Sequence, residues 1–297
     1  MTSSPLNTKT CYHVRSISLP SRSHPLTLDI EEQLCRLRSS RATCSSSTGH
    51  NLNVLNGLFE SVEDLLQLPL TRHALSIDRS NTSVNNVLDG SVRLLDICSV
   101  TKDVFSQMKE CLQDLQSSLR RNRGGEHGLQ NEVGAYMIAR KKVHKLIQKC
   151  LGDFKKAENK HEKSALLDKD YNLVAILSVF REVESITHSM FKSLLLSVSS
   201  SRTNTNGWSV VSKLMHTKRV ACQGEEADLF ELEKVDAALL TLVSKKSSKG
   251  IEVVNVKNVH TKLAEVQLSM QGLEDQLESI YKSLIKTRVT LLNILSQ

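Results

Sequence analysis

One hydrophobic stripe near the C-terminus constrains the fold of this chain more than any other feature. Counted in alternating steps of three and four, it runs Val256, Val259, Leu263, Val266, Met270, Leu273, Leu277, Ile280, Leu284, Thr287, Leu291 and Ile294, apolar at every position but Thr287. Those steps follow one face of an α-helix, and no proline interrupts them, so the pattern predicts a single helix of about 57 Å at 1.5 Å per residue. A helix this long and this greasy on one side draws its stability from whatever covers that side.

Two kinds of cover are conceivable, a second copy in a coiled coil or earlier helices of the same chain. A zipper places opposed charges beside its seam. Here the flanks read Lys262, Ser269, Gln276 and Ser283 on one side and His260, Gln267, Glu274 and Tyr281 on the other, and most are neutral. Leu268, Ile285 and Leu292 are expected to widen the apolar face beyond a narrow seam. The balance favours an intramolecular bundle and a mostly monomeric protein.

Only 4 prolines and 12 glycines punctuate the 297 residues, and aromatic residues make up 4%, which favours long helices over a many-stranded sheet. The expected fold is all-α: an elongated antiparallel helical bundle with a long C-terminal helix and a disordered N-terminal tail. The 7 cysteines are odd in number and form no Cys-x-x-Cys pair, so neither a disulfide framework nor a zinc site follows. An intracellular, most simply cytoplasmic, location is expected. The first residues lack the apolar core of a signal peptide, and the longest apolar stretch, 171–180, is too short to span a bilayer.

Residues 1–28 are polar and without periodicity and are expected to form a disordered regulatory tail. Residues 29–50 read as a short helix, with Asp29 as N-cap and Ile30, Leu34 and Leu37 on one face, followed by a Ser-rich linker over 39–50. Residues 51–297 form the helical bundle domain. Its first helix carries Leu52, Leu55, Phe59, Val62 and Leu66 and stops at Pro69. A second carries Val84, Val87 and Leu94, and a third is expected to start at Ser99 and present Val104, Met108, Leu112 and Leu119 before the break at Gly124 and Gly125. The fourth spans about 129–157, with Tyr136, Val143, Ile147, Cys150 and Phe154 inward and Arg140, Lys141, Lys145 and Lys149 outward. Asp170 suits the cap of a fifth, 199–207 a second linker, and Trp208–His216 a short docking helix. A further helix follows Asp228, leading past Gly250 into the long C-terminal one.

Three strings carry a family resemblance when taken together and in order: HVRSISLPSRSHP with IEEQLCRLRS near the start, VLDGSVRLLDICSVTKDVFSQMKECLQDLQSSLRR in the middle, and LEDQLESIYKSLIKTRVTLLNILSQ at the end. They resemble the land-plant group called domain of unknown function 241, which is similar to the BYPASS-type proteins. The resemblance implies a helical protein without an established biochemical activity, associated as a group with root and shoot development. It implies no catalytic or cofactor residues.

The charge of +7 is concentrated. Residues 120–163 hold twelve Lys or Arg against five Asp or Glu, a difference of +7, so the rest of the chain sums to zero. Arg140, Lys141, Lys145 and Lys149 form the expected basic surface, offered to an anionic membrane or an acidic protein, with an ordinary solvated helix face as the plain alternative. Nucleic acid is not expected, because no zinc finger, RNA-binding aromatic motif or basic zipper accompanies the charge.

In the tail, Arg15, Ser16, Ser18 and Pro20 spell R-S-x-S-x-P. A phosphate on Ser18 would add about −1.5 to −2 charges and suit the arginine cluster of a 14-3-3 protein. The alternative is an inert polar tail. Enzymatic patterns fall short: Ala165 stands where the His161–Glu162 pair would need a second zinc-binding histidine, and Gly124, Gly125 and Gly128 fit no phosphate loop. The function expected is therefore non-enzymatic, through protein contacts and without a cofactor, with a peripheral membrane adaptor as its rival.

Overall fold

The computed structural model describes residues 25–43, 48–77, 82–121, 126–161, 171–199, 231–244 and 249–296. Among these residues the chain is an all-α bundle of eight helices with no strand: α1 (Pro25–Thr43), α2 (Thr48–Gln67), α3 (Pro69–Ile77), α4 (Thr82–Arg121), α5 (Glu126–His161), α6 (Tyr171–Ser199), α7 (Glu231–Ser244) and α8 (Lys249–Ser296). The expected helix break at Gly124 and Gly125, the cap Asp170 and the segment Trp208–His216 lie outside the described residues.

The stripe on α8 organises everything else. Its residues from Val259 to Ile294 are all buried, Thr287 included, and at 48 residues the helix is about 72 Å long. α4 runs antiparallel along it. Cys98 Sγ reaches the Leu277 carbonyl at 3.7 Å, Lys102 pairs with Glu278, Lys109 pairs with Glu274, and Arg288 donates to the Leu88 carbonyl at 2.8 Å. Lys102 also lies 4.5 Å above the Tyr281 ring, a cation–π contact. α2 runs parallel to the C-terminal half of α8, where Asn56 accepts from Ser279 and Ser283 and Glu63 accepts from Thr290 at 2.7 Å. α7 joins α8 through only four residues, 245–248, and so folds back along its N-terminal half.

Several boundaries differ from the sequence expectation, each for a physical reason. α1 begins at Pro25, whose fixed φ and missing N–H suit the first turn. Asp29 therefore sits inside the helix and caps nothing. Its carboxylate accepts from Gln33 at 2.6 Å and from Ser61 at 2.7 Å, tying α1 to α2. The expected linker over 39–50 is helical wherever it is described, since 39–43 close α1 and 48–50 open α2. Ile30, Leu34 and Leu37 are buried in the common core.

Ser99 starts no helix. It lies within α4, which runs unbroken because no proline intervenes and because Ile97, Cys98, Thr101, Val104 and Phe105 keep one buried face through that point. Pro69 ends α2 and at once opens α3, with Arg72 N–H donating to the Leu68 carbonyl at 3.0 Å. A helix of nine residues there was absent from the sequence reading. Finally, Leu268, Ile285 and Leu292 are 77%, 42% and 43% exposed. They lie on the solvent side of α8 and do not widen its buried face; what covers the stripe is α2, α4 and α7.

α6 lies beside α4 and crosses it where α4 has no side chain. A Cβ on Gly90 would lie 2.6 Å from Glu184 Oε2, and Arg93 holds that carboxylate at 2.7 Å. A side chain at position 90 would have to push aside the end of the Glu184 side chain that Arg93 holds.

Candidate functional site

α5 presents two faces of opposite character. Its inward face carries Val133, Tyr136, Val143, Ile147, Cys150 and Phe154, all buried, against α4 and α6. Its outward face carries Ile138, Lys141, Lys142, Lys145 and Lys149, all exposed. None of these lysines enters an ion pair among the described residues, and no Asp or Glu occurs between Glu132 and Asp153. Ile138, at 59% exposure, stands within the same face. Gly134 and Gly152 on the same helix face open space, since a Cβ added to either would meet nothing within 4 Å.

Arg140 departs from the expected basic surface. It is 3% exposed and turned inward, so only Lys141, Lys145 and Lys149 of that set face solvent. Its Nη1 donates to the Val198 carbonyl at 2.6 Å, at the C-terminus of α6, and lies 3.6 Å from Met108 Sδ. Its Nε faces Asp236 Oδ2 at 3.4 Å, and Tyr136 donates to Asp236 Oδ1 at 2.8 Å. A cation at a helix C-terminus meets carbonyls that have no partner within the helix. One turn on, His144 Nδ1 lies 3.1 Å from the Ser199 carbonyl. Together these side chains close the end of α6 from α5. Burial, and then the Asp236 carboxylate, push the Tyr136 hydroxyl well above its usual ionisation range, so it remains a donor.

Arg140 and Asp236 were the functional surprise of this region, and the sequence did carry a signal for them. Arg140 falls at four and seven residues from Tyr136 and Ile147, in phase with Val143, and Asp236 falls between Val235 and Leu239 on the buried stripe of α7. Two opposite charges, each in register with an apolar face, announce a buried pair.

A cavity of about 30 Å³, the volume of a single water, lies among Phe59, Val87, Gly90, Phe180, Leu284 and Thr287. Burial pushes the Cys98 thiol up to about 12 and raises those of Cys111 and Cys150, so these thiols are not primed as nucleophiles. Among the described residues no group of three His, Cys, Asp or Glu is placed to hold a metal, and no helix is long and apolar enough to cross a membrane. Arg15, Ser16, Ser18 and Pro20 lie outside the described residues.

The bundle and its middle string coincide with a known family. Residues 51–294 match the family model described as Protein BPS1. The chain belongs to the BPS1 family. This agrees with the BYPASS-type resemblance of the three sequence strings, and it connects the chain with a plant family related to development and not known for enzymatic activity. Neither a curated protein nor a solved structure matches it.

Proposed function

We propose that this BPS1-family chain acts in root or shoot development as a non-enzymatic, intracellular, mostly monomeric helical scaffold that works through protein contacts. The outward face of α5 is the contact surface, and its partner is acidic. The observation that carries the reading is the row of exposed lysines at 141, 142, 145 and 149, none of them in an ion pair among the described residues and with no carboxylate between Glu132 and Asp153. Natural surfaces intersperse the two signs, and a single-sign face of this kind raises encounter rates with an oppositely charged partner. Arg140 adds to the reading from inside, because its bonds to α6 and α7 stop α5 from rolling and hold the lysines outward.

The test is affinity capture from plant root tissue with the wild-type chain and with Lys141, Lys145 and Lys149 all changed to Glu. Wild type should retain a set of acid-rich proteins that is lost in the variant and released by about 0.5 M salt, where charge is screened beyond a few ångströms. The same proteins on both baits would refute the reading. A second reading, a peripheral membrane adaptor, is favoured by Ile138 exposed amid the lysines. In that case the same substitutions abolish co-pelleting with phosphatidylserine-rich vesicles, each lysine contributing roughly 1 kcal/mol near such a surface.

The tail supplies the regulation. Phosphorylated Ser18, with Arg15, Ser16 and Pro20, docks a 14-3-3 protein. Ser18→Ala should abolish retention of the kinase-treated protein on a 14-3-3 column, and equal retention of both forms would remove this part of the proposal.

A further inference from the structure

Thr287 is the one polar member of the stripe on α8, and the bundle buries it to 6% exposure. A buried threonine inside a helix can turn its hydroxyl back onto the carbonyl four residues earlier. Thr101 and Thr187, both fully buried, do so, with Oγ1 donating to the Ile97 carbonyl at 2.8 Å and to the Val183 carbonyl at 2.6 Å. Thr287 does not. Its Oγ1 is buried and has no hydrogen-bond partner among the described residues. A valine has nearly the same shape and carries no hydroxyl to satisfy, so a threonine at this position calls for a polar partner.

The residue stands on the wall of the cavity of about 30 Å³ that α2, α4, α6 and α8 enclose between them. Two further polar side chains line the same space. Ser91 of α4 donates to the Leu88 carbonyl at 2.6 Å and accepts from Arg288 Nη1 at 2.8 Å, which leaves its oxygen one lone pair. Glu184 of α6 gives Oε1 to Arg93, 3.2 Å from Nε and 2.7 Å from Nη2, while its Oε2 lies 2.6 Å from where a Cβ on Gly90 would stand. Gly90 thus leaves the carboxylate its room at the edge of the cavity. The rest of the wall is apolar, with Phe59, Val87, Phe180 and Leu284 among its members. A water needs roughly 10–15 Å³ and two to four polar partners, and this space supplies both.

We propose that this cavity is a binding site for one structural water. Thr287 Oγ1 donates to the water, which donates in turn to Glu184 Oε2 and Ser91 Oγ, so that a single molecule ties α8 to α6 and α4. The ligand is a neutral molecule of this size with two donors; a cation finds Glu184 already neutralised by Arg93. The site gives a reason for the one break in the apolar stripe: where Gly90 contributes no side chain to the packing, a hydroxyl on α8 holds the molecule that takes its place. It is independent of the lysine face and of the tail.

Magnetic relaxation dispersion of oxygen-17 water, recorded on the full chain, counts the waters held for longer than the protein takes to tumble. Wild type and Thr287→Ser, which keeps the hydroxyl, should give the same count, and Thr287→Val should give about one water fewer. In the wild type, nuclear Overhauser transfer from the bound water should reach the methyl groups of Val87 and Leu284, which line the cavity. Three results would each overturn the proposal: an equal count in wild type and Thr287→Val, an equal loss in the Ser and Val variants, or no transfer from water to those methyls. The last is read on the wild type alone and so does not depend on how a variant folds.

Discussion

Charge buried on an apolar stripe is the residue-scale signature of this protein. Arg140 and Asp236 sit where the helical period calls for apolar side chains, and each finds the other. Removing one partner leaves the other buried and alone, so Arg140→Ala should cost about 3–5 kcal/mol in urea denaturation, while the pair Arg140→Met with Asp236→Leu should recover most of that loss. A single variant as stable as wild type would show that the pair contributes nothing. The positions of both residues were legible, because their phase with Tyr136, Ile147, Val235 and Leu239 is written in the sequence. Reading Arg140 outward meant letting charge outweigh period, and period prevailed because Asp236 and the Val198 carbonyl supply what the guanidinium loses from water. Asp236 comes from 96 residues away, a proximity that no local pattern contains.

Helices were legible where one face stayed apolar, and their ends were not. The stripe of α2, and that of α8 from Val259 to Ile294, appear in the structure as read, since a repeat of three and four has only one way to be buried. Ser99 and Asp29 mimicked caps, but a capping residue starts a helix only where the preceding turn cannot continue it, and in α4 and α1 it can. The outer positions of α8 misled for a related reason: Leu268 is apolar yet points to solvent, and its neighbours on the helix cannot tell which side is covered. This contrast is measurable. Leu273→Ala, at a position 3% exposed, should destabilise the protein by about 2–5 kcal/mol, whereas Leu268→Ala, at 77% exposure, should change stability by less than about 0.5 kcal/mol. Equal losses at the two positions would mean that the outer side of α8 is covered as well.

At the scale of the whole molecule, the core is a sheath around one rod. α4 covers α8 along its length, α2 covers its C-terminal half and α7 its N-terminal half, α5 packs on α4, and α6 packs on α4, α1 and α3. That arrangement closes the interior and leaves the lysine row of α5 as a fixed outer surface. That surface is fixed only if the stripe of α8 is buried by its own chain. Hydrogen exchange along α8, measured on the wild-type protein at two well-separated concentrations, tests this most directly. Amides from Val259 to Ile294 should be protected at both concentrations alike. Protection that grows with concentration, or a gap in the middle of the helix, would contradict the account.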